Sequence, residues 1–255
     1  MELLQVQNLK KVFNARKGVN QYTALNDVSF EVSQGEFVAV MGPSGAGKTT
    51  LLNIMASLDK PTSGHVLLEG RSLDSISDRE ISAFRRDNLG FVFQDFNLLD
   101  TFTLKDNILL PLVLAGTGVR EMMNRLTPIG DTLGILPLLD KYPYEVSGGE
   151  KQRAAVARAI ITQPKLVLAD EPTGALDSKS STGLLNIFSG LNQTGQTIVM
   201  VTHSSMAASY SSRVLFIKDG DIFSQIYKGE NSRQGFFERI VANLSVLSGG
   251  GVDIG

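Results

Sequence analysis

The chain contains no cysteine in 255 residues. That excludes a disulfide framework and fits a reducing compartment. It has no excess of basic charge either: 24 Lys and Arg stand against 26 Asp and Glu, a net charge of −2. Nothing in that balance points to a nucleic-acid partner. It also lacks an apolar run of the roughly 18 residues a bilayer crossing needs. The most apolar stretch after residue 100, residues 108–115, is interrupted by Pro111. Such a chain is not expected to span a membrane; if it moves anything across one, another polypeptide supplies the path. No secretory leader is expected, because Met1-Glu2-Leu-Leu-Gln leads straight into an alternating strand. The length allows one large domain or two intimate ones.

What is present starts with Gly42, Pro43, Ser44, Gly45, Ala46, Gly47, Lys48 and Thr49 in succession, a full match to G-x-x-x-x-G-K-[ST]. An apolar β-type segment, residues 36–41, precedes it, and residues 49–56, opening Thr49-Thr50-Leu, read as a helix. Glycines let the backbone curl so that several N–H groups face one anion, and the helix N-terminus adds partial positive charge. Lys48 can reach β- and γ-phosphates, and the Thr49 hydroxyl can ligate Mg2+. A bare glycine turn is the lesser reading, because strand, helix, Lys and Thr are all in place.

Further on, Lys165-Leu-Val-Leu-Ala-Asp170-Glu171 is a short apolar strand ending in two carboxylates. Strand alternation sends the two side chains in different directions, so Asp170 can face a metal while Glu171 addresses water. Phosphoanhydride hydrolysis needs both charge neutralisation and a group that orients or deprotonates water. Between the two motifs, Ser147, Gly148, Gly149 and Glu150 open an Ala-rich helical stretch running to residue 160. Ser147 with Glu150 three positions on makes a capping box. Two glycines after a cap cost about 1 kcal/mol each relative to Ala. They make sense if another surface approaches the backbone there. A helix N-terminus with a hydroxyl and bare amides is a second anion site.

Val146-Ser147-Gly-Gly-Glu150-Lys-Gln-Arg, the loop at 42–49 and Asp170-Glu171-Pro-Thr-Gly174-Ala-Leu-Asp177 resemble the ATP-binding subunits of ABC transporters. The motifs stand in family order, from the first strand to about residue 228. The resemblance implies an α/β fold: a P-loop NTPase (RecA-like) core, an N-terminal antiparallel β subdomain and a helical signature subdomain. It implies ATP as substrate and Mg2+ as cofactor, with Thr49, Gln94 and Asp170 as metal-site residues. Gln94 resembles the loop glutamine that touches Mg2+ and attacking water, although a polar strand end would look the same. His203 resembles the switch histidine at the γ-phosphate, and Asp177 belongs to the loop that crosses between subunits. Phe13 occupies the place of an aromatic that stacks on adenine; a strand-end Phe is equally a core residue, and Tyr22 competes for the role. Glu171, His203, Gln94 and Lys48 are the expected catalytic set.

Two departures stand out. The signature closes with Glu150 where the family has Gln. A carboxylate aimed at a phosphate would repel it, so Glu150 is expected to turn back onto Ser147. Gly174 stands where Ser is common.

Along the chain, strands are expected near residues 3–9, 24–32, 36–40, 64–68, 166–169, 197–202 and 213–217. Helices are expected at 48–57, 78–86 (capped by Asp78), 104–114, 119–126, 129–133, the signature stretch, 180–191 and 205–210. A polar stretch separates strands at 14–21, and a hairpin turns at Lys218-Asp-Gly-Asp221. Residues 232–247 carry an amphipathic helix expected to pack on its own domain or a partner, and the tail from Gly249 is expected to be disordered. The expected division is an ATP-binding core at 1–94 and 165–230, a helical signature subdomain at 95–164, and a C-terminal helix and tail at 231–255.

The resemblance further implies that two copies meet head to tail, each loop facing the other's Ser147. It implies an integral membrane permease as partner and a place on the cytoplasmic face of the membrane. Asp95-Phe-Asn-Leu-Leu99 is the candidate docking surface, unless Phe96, Leu98 and Leu99 are simply core. The resemblance is to the branch of lipoprotein release, macrolide export and bacitracin export, and within it to bacitracin-type peptide export, with a sensor kinase reached through the permease as an implied partner; lipoprotein release and cell division are alternatives. A ribosome-acting ATPase would carry two cassettes, and a DNA-repair ATPase a long heptad insertion; neither is present.

Overall fold

Two long strands open the chain, β1 (Glu2–Phe13) and β2 (Tyr22–Ser33); burial alternates strictly over residues 28–33 of β2, while along β1 the register with β2 shifts several times. The computed structural model describes residues 1–13 and 21–247. The expected polar separator falls outside these but for Gln21, and so does the glycine tail. β3 (Phe37–Met41), α1 (Lys48–Met55), β4 (Ser63–Leu68), β5 (Arg71–Ser72), α2 (Ile81–Asn88) and β6 (Leu89–Val92) follow. Then come α3 (Leu104–Leu114), α4 (Val119–Thr132), α5 (Gly148–Ile160), β7 (Leu166–Asp170) and α6 (Ser178–Gln193). β8 (Thr197–Val201), α7 (Ser205–Ala208), β9 (Arg213–Lys218), β10 (Asp221–Tyr227) and α8 (Arg233–Leu247) complete the chain.

Two compact units result, Met1–Ser77 with Thr197–Gly255, and Asp78–Gln196. In the first, β2, β1, β4 and β5 form an antiparallel sheet in that order. β3 lies between β8 and β9, parallel to both, and β10 returns antiparallel on β9. Every residue of β3 and β8 is buried, which is why β3, and β8 after Thr197, read as unbroken apolar runs rather than alternating ones. Each buried Val, Ile, Phe or Met among them contributes about 1.5–3 kcal/mol. Asp219 and Gly220 both take positive φ, the mirror-image turn that suits a tight hairpin. α8 buries Phe236, Ile240 and Leu247 against its own unit, with Lys218 Nζ donating to Leu247 O at 2.9 Å.

In the second unit β6 and β7 pair in parallel, and α5 packs on β6. Ala154, Ala155, Val156 and Ala157 are fully buried, small residues that let α5 lie close. Asn107 of α3, also fully buried, accepts from Leu99 N–H and donates to the carbonyls of Leu99, Phe102 and Thr103. That one amide fixes the 99–103 turn.

Two expectations need correction. Residues 119–132 form one helix, not two, with Pro128 inside it. Pro128 is exposed, so the carbonyl its missing N–H leaves behind faces water, while Leu126 and Gly130 hold the buried face. Asp78 does not cap α2: the N-cap is Glu80, in αR geometry and without a side-chain cap bond, and Asp78 lies in the turn before it. Among the described residues no helix is long and apolar enough to cross a membrane.

Candidate functional site

In the first unit, the C-terminal ends of β3 and β8 leave the sheet on one edge, with Val40 opposite Val201 and Thr202 N–H donating to Val40 O at 3.1 Å. Residues 42–49 follow β3, and the exposed His203 follows β8. The loop is built by close approach. A Cβ on Gly42 would stand 2.1 Å from Ile217 O, and one on Gly47 would stand 2.3 Å from Ala24 O. Gly47 also takes φ 97°, which turns the chain into α1. α1 opens without a side-chain cap and without an acidic residue in its first turn. A helix start of this kind suits an anion. Lys48 Nζ donates to Gly42 O and Pro43 O, each at 2.8 Å, which anchors the ammonium at the loop.

Tyr22 enters here in a way its sequence position did not signal. Its hydroxyl donates to Gly45 O at 2.7 Å, so β2 steadies the loop tip. Phe13 is the direct cross-strand partner of Tyr22. It is 42% exposed, and Lys11 Nζ lies 4.9 Å from its ring centroid. Phe13 is therefore not core.

In the second unit, Val92 pairs with Ala169, so Gln94 and the Asp170-Glu171 pair exit on a common edge. Glu171 takes φ 45°, a left-handed conformation that a non-glycine residue holds only when its surroundings enforce it. Gly174 N–H donates to Glu171 O at 2.9 Å, closing the turn. A Cβ on Gly174 would lie 3.0 Å from Gln94 Nε2. The departure from Ser at this position leaves room for the glutamine side chain.

Ser147 caps α5 with the expected reciprocal pattern. Its N–H and its hydroxyl each donate to a Glu150 carboxylate oxygen at 2.7 Å, and Glu150 N–H donates back to Ser147 Oγ at 3.4 Å. The hydroxyl first and the N–H second hold the Glu150 pKa below the usual 4.5. The glycines divide the labour. A Cβ on Gly149 would meet Ser180 Oγ at 2.9 Å, so the surface that requires this glycine is α6 of the same chain. A Cβ on Gly148 would find only ordinary contacts, Leu176 Cδ2 at 3.6 Å and Phe96 Cζ at 3.7 Å. Asp177 caps α6: its carboxylate accepts from the Ser180 hydroxyl, then from the N–H groups of Ser180 and Lys179, and these bonds hold its pKa below 3.8.

Phe96 and Leu98 are half-buried and Leu99 is 46% exposed, so none of the three is core. The carbonyls of Phe96 and Asn97 accept from the Arg158 guanidinium of α5, whose pKa burial lowers. Arg158 and Gln152 are polar side chains of α5 bonded to backbone carbonyls, and motif reading gave neither a role. Gln152 is a polar side chain on the buried stripe of α5, and that placement was the available signal.

A glycine loop between a buried parallel strand and an uncapped helix, with a Lys at its mouth, defines a P-loop nucleotide-binding domain. More narrowly, the chain belongs to the ABC transporter family, whose model matches residues 25–174, and it carries that family's ATPase domain. It is 53% identical to the uncharacterized ABC transporter ATP-binding protein YvcR of Bacillus subtilis, over 98% of this chain and 96% of that one. It is 47% identical to the bacitracin export ATP-binding protein BceA of Halalkalibacterium halodurans, over 98% of both chains. Among solved structures, the dimeric post-hydrolysis ATP-binding cassette MJ0796 bound to ADP and Pi matches with a TM-score of 0.80 at 35% identity. That match covers 88% of this chain and 98% of the other.

Proposed function

We propose that this chain powers a separate membrane permease that removes bacitracin-type antimicrobial peptides, and that two copies clamp ATP between them. The similarity to a bacitracin export ATP-binding protein over 98% of both chains carries this reading. Association at the cytoplasmic face of the membrane through the permease follows from it. The dimeric state of the related cassette supports the pairing.

The division of labour runs through residues 1–94 and 165–230 as ATP-binding core, 95–164 as the segment that presents the signature, and the remainder as an accessory helix. Lys48 and the loop amides bind the β- and γ-phosphates. Glu171 accepts the proton as water oxygen bonds to the γ-phosphorus and the bond to ADP breaks; Gln94 orients that water and His203 contacts the γ-phosphate. Thr49, Gln94 and Asp170 offer oxygen donors only, which suits Mg2+. Bound there, Mg2+ supplies charge neutralisation at the phosphates. Phe13 rather than Tyr22 is the adenine platform, since the Tyr22 hydroxyl is engaged by Gly45. From the other copy, Ser147, Gly148 and Gly149 approach the γ-phosphate, and Asp177 steadies the crossing loop.

Permease docking near residues 95–99 is supported by a cleft of about 550 Å³ in the second unit, lined by Phe93, Asn97, Leu110, Pro111 and Arg158 among others. The test is to purify Glu171→Gln from detergent-solubilised membranes with ATP and to identify what travels with it. A permease with a large extracellular domain, whose co-expression with the wild-type chain raises bacitracin resistance, is the expected result. Isolation without any membrane protein, or a permease pair that leaves resistance unchanged, contradicts the proposal.

A further inference from the structure

Gln152 sits in the second turn of α5 and is fully buried. Its Nε2 donates to Phe93 O at 3.0 Å and to Pro172 O at 2.8 Å. These carbonyls belong to the residue just before Gln94 and the residue just after Glu171. The amide orientation is fixed by chemistry, since a flipped Oε1 would face two carbonyl oxygens. Among the described residues Oε1 itself makes no hydrogen bond, so the side chain costs stability that an apolar residue of equal size would not. Pro172 has no N–H to hold the strand exit in place, and Glu171 sits in a strained left-handed conformation. The carbonyl of Pro172 is one handle on this turn, beside the Gly174 N–H bond to Glu171 O.

We infer that Gln152 is a positioning residue for ATP hydrolysis, one side-chain amide that ties the backbones beside Gln94 and Glu171 to the helix opened by Ser147. The inference rests on the roles given above to Gln94 and Glu171. A shift of α5 when a second copy's nucleotide docks on its first turn then moves both segments together. Gln152 adjusts the water-orienting and proton-accepting groups without touching substrate.

The test uses the full-length chain with Gln152→Met, which keeps the volume and removes both donors, assayed below its melting temperature. Misplacement of catalytic groups by about 1 Å is expected to lower kcat some 10-fold or more, with KM for ATP changed less than about 2-fold. Gln152→Glu is the second variant. As an ionised carboxylate it repels both carbonyls, and when protonated it regains one donor. Its kcat relative to wild type is therefore expected to rise as pH falls from 8 to 6. Glu171→Gln serves as the control. If that control is inactive while Gln152→Met keeps kcat within about 2-fold, or the Gln152→Glu ratio is flat with pH, the inference is overturned. If Glu171→Gln itself hydrolyses ATP normally, the fault lies with the proposed catalytic roles instead.

Discussion

Two helices of this chain begin with glycines, and they begin differently. α1 starts at Gly47 with no side-chain cap and no acidic residue in its first turn. α5 starts at Ser147 with a closed capping box to Glu150. A helix leaves its first N–H groups unsatisfied unless something caps them. At α5 the chain provides the cap itself, worth about 1 kcal/mol. At α1 it withholds one, and a phosphate is the natural substitute. The glycines differ as well. Gly42 is compelled by Ile217 O at 2.1 Å from its would-be Cβ, whereas among the described residues the nearest atom a Cβ on Gly148 would meet, Leu176 Cδ2, is an ordinary contact at 3.6 Å. The first helix start is shaped by its own fold for a ligand; the second holds a glycine that its own fold does not require.

Substitution at these two glycines sharpens the contrast. Gly42→Ala is expected to cost about 1–3 kcal/mol by overpacking and to abolish ATP binding, read by thermal unfolding and nucleotide titration. Gly148→Ala should be neutral or stabilising by up to about 1 kcal/mol, since Ala is the better helix former. Its ATPase activity should nevertheless fall some 10-fold if a second copy's phosphate approaches there. A Gly148→Ala chain with full activity breaks the comparison. A smaller effect is expected for Tyr22→Phe, which removes only the bond to Gly45 O. At about 0.5–1 kcal/mol, KM for ATP should rise a few-fold with kcat held.

Glu150→Gln should change least, leaving hydrolysis within about 3-fold, since the carboxylate points back at Ser147 rather than outward. Its mark is on acid stability. The folded-state pKa of Glu150 lies below its ordinary 4.5. The stability it contributes is therefore present above that value and is lost as pH falls through the depressed folded value. Acid unfolding of Glu150→Gln should lack that component below pH 4.5, as melting curves across pH would show.

Much of this was readable in the residues. The strand–loop–helix around Lys48, the carboxylates ending β7, the Glu150 turn-back and the Asp219-Gly220 hairpin are local patterns, and the structure has each of them. What escaped reading depends on contacts distant in sequence. Pro128 reads as a breaker until its exposed face on α4 is known. The packing reason for Gly149, Ser180 of α6 against its would-be Cβ, lies about thirty residues on and no local pattern reports it. Gln152 and Tyr22 make their bonds to carbonyls tens of residues away or across a loop, and no spacing rule reports those. The expected Asp78 cap failed for a local reason, because the helix begins three residues later than its sequence suggests.

The most direct measurement is the sedimentation of Glu171→Gln with and without saturating ATP. A dimer that forms with ATP, and is lost when Ser147 is replaced by Arg, is the predicted result. A chain that remains a monomer with ATP demonstrably bound, beside its permease as well as alone, contradicts the shared clamp.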